Sequence, residues 1–184
     1  MTHAATAQPL QTLTLGGGCF WCLDAVYRRV RGVVAVESGY CNGHVPQPSY
    51  EQVCRGDTGH AEVVRLQFDP AQVSARELLE IFFRIHDPTT PNRQGNDVGP
   101  QYRSGVYFED PQHAELARDI IHTLERDGGL GAPVVTEVLP LHNYSAAEDY
   151  HQDYFAHNPH QGYCAYVVGP KVEKFRKTFA QHLK

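Results

Sequence analysis

Residues 16–22 read GGGCFWC, so a cysteine directly follows three glycines. The apolar residues after Cys19 recur with helical spacing, which predicts that this cysteine opens a helix. Unpaired backbone N–H groups and the helix dipole at such a terminus stabilise an anion, which lowers the pKa of a thiol and raises its reactive thiolate fraction. Cys19 is therefore a candidate nucleophile, with Phe20 and Trp21 as walls of an apolar pocket beside it. The alternative is a buried structural cysteine followed by two core side chains.

Cys19 and Cys22 also form a C-x-x-C pair, which fits two other classes of protein. A thioredoxin-like dithiol oxidoreductase has such a pair after a strand and at the start of a helix, and this sequence provides that context. A non-catalytic zinc module needs further ligands at short spacing, and Cys41 and Cys54 do not form a second pair. A papain-like hydrolase is disfavoured because its flanking signature is absent. Four histidines in polar surroundings are expected to be solvated: His142, His151, His157 and His160.

Glu62 is the second residue with potential chemistry. Residues 60–69 alternate between the two faces of a predicted strand, and Glu62 shares a face with Val64, Leu66 and Phe68. A carboxyl group on that apolar face loses water, which raises its pKa and keeps it protonated at neutral pH, able to donate a proton. If the strand begins only after Glu62, this side chain faces water instead.

Composition limits the classes of function. The 184 residues include 16 Lys and Arg against 21 Asp and Glu, a formal net charge of −5, which is not the basic footprint of a nucleic-acid binder. We find neither a signal peptide nor a stretch approaching the ~18 apolar residues of a membrane span, so we expect a cytoplasmic protein. Five cysteines are an odd number in a chain too long to need disulfide staples, which argues against a secreted framework.

The periodicity predicts alternating strands and helices separated by two long loops. The predicted strands cover residues 10–15, 33–40, 60–69, 102–108 and 134–139, and the predicted helices cover 19–31, 74–86, 110–127, 146–156 and 170–183. The loops, residues 41–59 and 88–100, have a length typical of functional segments, and Tyr50 and Tyr102 lie in or beside them. This mixed order predicts an α+β two-layer domain, with helices on a mostly antiparallel or mixed sheet.

Four short motifs, in the same order along the chain, resemble those of the A-type peptide methionine sulfoxide reductases: GCFW at 18–21, GDTGHAE at 56–62, RQGND at 93–97 and QYRS at 101–104. Each motif alone is weak, but four collinear motifs argue against chance. The resemblance implies a mixed α/β two-layer sandwich with a ferredoxin-like core. It also implies reduction of the S epimer of methionine sulfoxide, free or in proteins, with thioredoxin as the external reductant and no bound cofactor.

The same resemblance implies roles for the matching residues. Cys19 resembles the nucleophile that attacks the sulfoxide sulfur, and Glu62 resembles the acid that protonates the sulfoxide oxygen. Phe20 and Trp21 resemble the apolar cradle for the terminal methyl group of the substrate. Attack leaves methionine and a sulfenic acid on Cys19, which a second thiol condenses to a disulfide that thioredoxin reduces.

Further residues match the oxygen-binding and substrate-orienting positions of that family. Tyr50 and Tyr102 match hydroxyl groups that hold the sulfoxide oxygen, and Asp97 matches a pocket residue that orients the substrate. The implied partners are thioredoxin and oxidised proteins or free methionine sulfoxide, with no metal, nucleic acid or membrane, and we expect a monomer.

Two cysteines are candidates for the resolving thiol. Cys164 follows Gly and Tyr, as in the C-terminal resolving segment of many family members, and its predicted loop can swing towards the nucleophile. Cys22 lies one helical turn from Cys19, where Cβ directions often disfavour a disulfide. We favour Cys164 and keep Cys22 as the alternative. Cys41 and Cys54 match no thiol of the family and are expected to be incidental.

The length of the chain and the lack of an internal repeat or a composition break predict the domain organisation. Residues 1–184 are expected to form a single catalytic domain. Within it, residues 1–9 are a flexible arm, and residues 157–184 carry the resolving cysteine and the terminal helix.

Overall fold

The computed structural model describes residues 7–184, and within this range it has eight strands and six α-helices. The strands are β1 (Gln11–Gly16), β2 (Val33–Cys41), β3 (Ala61–Phe68), β4 (Arg93–Gln94), β5 (Asp97–Val98), β6 (Gly105–Phe108), β7 (Glu137–Pro140) and β8 (Ser145–Ala146). The helices are α1 (Phe20–Tyr27), α2 (Tyr50–Cys54), α3 (Ala75–Ile85), α4 (Pro111–Asp127), α5 (Tyr154–His157) and α6 (Gly169–Thr178). The predicted arm lies mostly outside the described residues.

One mixed sheet supports the site. Its strand order is β7-β6-β1-β3-β2-β8, with β6 and β7 parallel and the other neighbours antiparallel. Leu15, Leu66 and Phe68 belong to the main core cluster, which the apolar faces of the long helices share. Val63 and Tyr107 belong to a separate small cluster, because successive side chains of a strand point to opposite faces. The predicted α+β two-layer fold is confirmed.

The turn between β1 and α1 depends on a glycine. Gly18 has a φ of +90°, and a Cβ there would lie 2.7 Å from the Gln94 side chain, so both conformation and space favour glycine. Cys19 is the N-cap residue of α1, and the helix begins at Phe20. The predicted helix start is therefore confirmed to within one residue, whereas the helix ends at Tyr27, short of the predicted end.

Both predicted long loops contain regular structure. In the first, Ser49 and Gln52 form a reciprocal capping box that starts α2. In the second, β4 and β5 pair as a hairpin around Gly95 and its neighbour, and Gly95 has a φ of +57°, as a tight hairpin turn requires.

The C-terminal third differs most from the predicted elements. The predicted helix over 146–156 is wrong, because Ala147 N–H donates to Ser38 O at the edge of β2 and Asp153 has a φ of +52°. The predicted loop around Cys164 is also wrong, since this residue begins a π-helical turn, Cys164–Val168, that continues into α6. No helix in residues 7–184 is long and apolar enough to cross a membrane.

Candidate active site

Cys19 and Glu62 meet where the start of α1 crosses β3. The backbone N–H of Phe20 donates to Glu62 Oε1 at 3.2 Å, so the carboxyl group occupies the N-terminus of the helix that Cys19 caps. The other carboxyl oxygen, Oε2, is buried and has no partner among the described residues. The carboxyl group therefore has one anchored oxygen and one free oxygen beside the thiol.

Glu62 lies on the apolar face, as predicted. Its side chain is only 1% exposed, and its strand neighbours Val64 and Leu66 belong to the main core cluster. Burial raises the pKa of Glu62 to about 8, against the opposing effect of the Phe20 N–H. At neutral pH the carboxyl group is therefore mostly protonated and able to donate a proton.

The predicted lowering of the Cys19 pKa is wrong for this structure. Burial raises the pKa of the thiol well above its ordinary value, and the nearby Glu62 and Cys22 raise it further. A hydrogen bond from the Trp21 backbone acts in the opposite direction without reversing the shift. Desolvation in the core exceeds the stabilisation offered by one helix terminus, so the resting site holds a neutral thiol beside a neutral acid.

Tyr50 and Tyr102 both approach the Cys19 and Glu62 pair from the loops. Burial and then Glu62 raise the pKa of each hydroxyl, so both remain neutral hydrogen-bond donors. The position of Tyr50 depends on Glu148, whose Oε2 accepts the Tyr50 backbone N–H at 3.0 Å. The same carboxyl group accepts the Tyr40 hydroxyl at 2.8 Å. Sequence reasoning missed Glu148.

Arg103 fixes the loop that carries Tyr102. Its guanidinium donates to Pro100 O at 2.9 Å and to Gly59 O at 2.9 Å, and it pairs with Glu137 at 3.2 Å. These contacts join the segment before β3 to the segment that ends with Tyr102. The second and fourth sequence motifs, which contain Gly59 and Arg103, thus have a structural as well as a chemical part.

The aromatic wall is formed around Trp21. Its indole stacks on Tyr154 with ring centroids 3.8 Å apart, and its Nε1–H donates to His151 Nδ1 at 3.0 Å. His151 is fully buried, so its predicted solvation is wrong. Phe20 is also fully buried, 5.0 Å from the His151 ring and 6.4 Å from the Tyr50 ring. Phe20 and His151 thus support the wall from behind.

Asp97 is connected to the C-terminal segment. The Tyr163 hydroxyl donates to Asp97 Oδ2 at 2.5 Å and lies 4.0 Å from Cys22 Sγ, and its ring meets the edge of Trp21 at 5.8 Å. The sequence did not predict this bridge. The hairpin of β4 and β5 presents Asp97, and Gln94 anchors that hairpin by bonding both N–H and C=O of Asp87.

Comparison with known proteins agrees with this arrangement. The family described as peptide methionine sulfoxide reductase matches residues 11–183. A curated relative from Ralstonia nicotianae, named peptide methionine sulfoxide reductase MsrA, is 53% identical over 181 residues, covering 96% of this chain and 95% of the relative. The chain belongs to the peptide methionine sulfoxide reductase family.

Solved structures of other family members share the fold of this reductase. Methionine sulfoxide reductase A of Corynebacterium diphtheriae superimposes with a TM-score of 0.80 at 38% identity, over 86% of this chain and 80% of the other. Reduced Mxr1 of Saccharomyces cerevisiae gives 0.79 at 35% identity, over 89% and 95%. Mxr1 in complex with Trx2 gives 0.56 at 25% identity, over 84% and 92%.

All five cysteines of this methionine sulfoxide reductase are free thiols. Cys22 is 3% exposed and Cys164 is fully buried, both in the main core cluster. Cys41 lies in the small cluster on the opposite face of the sheet. Cys54 ends α2 and is exposed. In the described part of the chain, no three His, Cys, Asp or Glu side chains cluster closely enough to hold a metal ion.

Proposed function

We propose that this oxidoreductase acts on the S epimer of methionine sulfoxide, free or in proteins, with Cys19 as the nucleophile and Glu62 as the acid. The observation that carries the assignment is Glu62 Oε2, which is buried and has no hydrogen-bond partner within residues 7–184. The raised pKa of this carboxyl group keeps it mostly protonated at neutral pH. A sulfoxide is a poor electrophile until its oxygen is protonated or strongly hydrogen-bonded, so an acid and a nucleophile must converge on one S=O group.

The neutral resting pair suits this reaction. As the Glu62 proton moves onto the sulfoxide oxygen, the Cys19 sulfur attacks the sulfoxide sulfur, and the thiol proton returns to Glu62. No net charge develops inside the site, which avoids the large penalty for an isolated buried charge. The oxygen passes from methionine sulfoxide to Cys19. The substrate is reduced by two electrons, and the thiol is oxidised by two electrons to a sulfenic acid.

The surrounding side chains hold the substrate. The Tyr50 and Tyr102 hydroxyls donate hydrogen bonds to the sulfoxide oxygen, which become stronger as negative charge moves onto that atom. Trp21, which is half-buried, forms the apolar cradle for the terminal methyl group, and the fully buried Phe20 supports this wall from behind. Asp97 orients the substrate, and Tyr163 must leave its carboxylate for that contact to form.

A second thiol completes the cycle. Condensation of the Cys19 sulfenic acid with a thiol releases water and forms a disulfide, and Cys164 and Cys22 are the two candidates near the site. Thioredoxin is the proposed reductant of that disulfide, supported by the related Mxr1 structure in complex with Trx2. A thioredoxin-dependent enzyme without a bound cofactor suits a reducing compartment, and we propose that it works in the cytoplasm as a monomer.

The test is turnover of the separated S and R epimers with dithiothreitol as reductant. We expect the S epimer alone to be reduced, and Cys19→Ser to abolish the reaction. Cys41→Ala is the matched control because this thiol lies on the opposite face of the sheet. Reduction of protein disulfides without reduction of either epimer would instead favour a C-x-x-C dithiol oxidoreductase.

A further inference from the structure

His86 is a buried histidine that the proposed reaction does not use. It follows the last residue of α3 as the C-cap, with extended backbone angles, and it is 7% exposed. Its ring packs against that of Phe82, one helical turn earlier, with centroids 4.0 Å apart. Both ring nitrogens have hydrogen-bond partners among the described residues. These contacts hold the ring in one orientation.

The partners of the ring fix the position of its proton. Nδ1 faces the backbone oxygen of Phe82, which can only accept, so Nδ1 carries the hydrogen. Burial lowers the pKa of His86 to about 4, and the nearby Lys171 acts in the same direction, so the ring is neutral at pH 7. Nε2 is therefore an acceptor, and the Ser104 hydroxyl donates to it at 2.7 Å. The Ser104 oxygen in turn accepts the Thr136 hydroxyl at 2.7 Å.

The same ring packs against the turn that presents Cys19. A Cβ added at Gly17 would lie 3.2 Å from His86 Cγ and Cδ2 and 3.1 Å from a Phe82 ring carbon. These distances are shorter than ordinary van der Waals contact, so the ring lies directly against the glycine backbone. Gly17 is two residues before the nucleophile. The ring therefore limits how far the turn can move towards α3.

Ser104 carries the contact to a second part of the site. It lies two residues after Tyr102, and its backbone oxygen accepts the Glu137 N–H at 3.0 Å, where β6 meets β7. Ser104 is 3% exposed, and its hydroxyl is engaged by His86 and Thr136. The bond between His86 and Ser104 therefore joins the end of α3 to the segment that presents the Tyr102 hydroxyl.

The residue after His86 reaches a third part of the site. The Asp87 N–H donates to Gln94 Oε1 at 2.8 Å, and Gln94 Nε2 donates to Asp87 O at 2.9 Å. Gln94 pairs with Asp97 in the hairpin of β4 and β5. The C-terminal end of α3 thus contacts the segments that carry the nucleophile, one oxygen-binding tyrosine and the substrate-orienting carboxylate.

We propose that His86 is a positioning residue for sulfoxide reduction. Its ring holds the Ser104 hydroxyl and the Gly17 backbone, so that the Tyr102 hydroxyl and the nucleophilic sulfur converge on one S=O group. His86 does not touch the substrate and transfers no proton in the reaction. The convergence matters most as charge moves onto the sulfoxide oxygen, so its loss slows the chemical step more than it weakens substrate binding. This inference rests on the proposed function.

Two amide substitutions separate the roles of the two ring nitrogens. In His86→Gln the amide oxygen can take the position of Nε2 and accept the Ser104 hydroxyl, whereas the shorter amide of His86→Asn reaches only the carbonyl of α3. The measurement is methionine release from the S-sulfoxide in a single turnover without reductant, so that thiol recycling does not limit the rate. His86→Asn should lower the maximal rate about tenfold and His86→Gln at most about threefold, both with the half-saturating substrate concentration within about twofold.

His113→Asn is the matched control for these variants. His113 is also a buried histidine, but its ring lies against Phe68, at the opposite end of β3 from Glu62. We expect this substitution to change the stability of the fold and to leave the single-turnover rate within about twofold of the wild type.

Ser104→Ala keeps the ring and removes its hydrogen-bond donor. We expect the single-turnover rate to fall about threefold to tenfold. In a Tyr102→Phe background the loss caused by Ser104→Ala should shrink to about twofold or less, whereas in a Tyr50→Phe background it should persist in full. A purely structural role of Ser104 would not distinguish the two tyrosines. Urea unfolding of each variant verifies that the assays use folded protein.

The position of the ring proton is measured without reference to activity. Nitrogen NMR of the labelled wild type at pH 7 should show His86 with its proton on Nδ1 alone, and a proton on Nε2 would overturn the assigned network. Wild-type rates in both His86→Asn and Ser104→Ala, or a Ser104→Ala loss that is undiminished in the Tyr102→Phe background, would overturn the positioning role. Absence of methionine release in the wild type would overturn the proposed function itself.

Discussion

The region that performs the reduction and the region that recycles the thiols are built differently. Cys19 and Glu62 lie at the junction of α1 with a central strand of the sheet, where the backbone N–H of Phe20, the residue after Cys19, donates to the Glu62 carboxyl group. Cys164 and Tyr163 lie in an irregular segment that combines short helices, a π-helical turn and one link to Asp97. The reaction requires fixed distances, whereas disulfide exchange requires sulfur atoms to change partners, so the two regions need different rigidity.

The largest expected effect comes from removing the acid of the reaction region, Glu62. We expect Glu62→Gln to lower kcat about 10²–10³-fold, because the amide can accept the Phe20 N–H but cannot supply the proton. Initial rates with dithiothreitol measure this effect. Glu109→Gln is the matched control, since Glu109 pairs with Arg65 at the surface. Activity within tenfold of the wild type would remove Glu62 from the role of acid.

The next largest effect comes from removing a thiol of the recycling region, Cys164. Cys164→Ser should lower thioredoxin-supported turnover about a hundredfold and leave dithiothreitol-supported turnover within about twofold, because dithiothreitol reduces the oxidised nucleophile directly. Parallel assays with the two reductants give the ratio. Equal losses with both reductants would mean that Cys164 supports the reaction region and that the comparison between the two regions fails.

A smaller effect tests how the reaction region positions its tyrosine. Glu148→Gln should lower kcat about threefold to tenfold with little change in KM, because Glu148 holds the Tyr50 backbone and not the substrate. In a double-mutant cycle with Tyr50→Phe, the activation free energy lost by the double mutant should be smaller than the sum of the losses in the two single mutants. Full additivity would show that Glu148 acts elsewhere.

The last predicted effect concerns stability and not rate, and it depends on pH. The pKa of Glu62 is raised from 4.5 to about 8 in the folded state, so the folded chain retains a proton that the unfolded chain loses. The stability associated with this group is complete below pH ~4.5 and is lost as the pH rises towards ~8. Glu62→Gln should therefore stabilise the fold by on the order of 1–3 kcal/mol at pH 8 and leave it unchanged near pH 4. Urea unfolding at both pH values measures the difference, and an equal effect at both would contradict the shifted pKa.

The reaction region was predictable because local and tertiary signals agree there. The alternation around Glu62 and the glycine turn before Cys19 each specify an element whose geometry follows from a short stretch of sequence. The capping box of α2 was present in the sequence as Ser49 and Gln52 and was overlooked. It carries Tyr50 into the site.

The recycling region was not predictable because its structure depends on distant partners. Ala147 bonds to the edge of β2, and His151 is buried by aromatic rings from α1 and α2. No periodicity in residues 146–156 encodes those partners, so a helical pattern there was misleading. The raised pKa of Cys19 was not predictable for the same reason. The helix terminus that lowers this pKa is visible in the local sequence, whereas the burial that raises it comes from distant residues.

Trp21 is the only tryptophan of the chain, and it contacts Tyr154, His151 and Tyr163 in the site. The indole fluorescence of the whole protein therefore originates beside the reacting thiol. Because Tyr154 stacks on the indole and His151 accepts its N–H, we expect the emission to change whenever these contacts change. We therefore expect the enzyme to carry an intrinsic optical reporter, through which substrate entry and disulfide exchange can be followed in real time without a label.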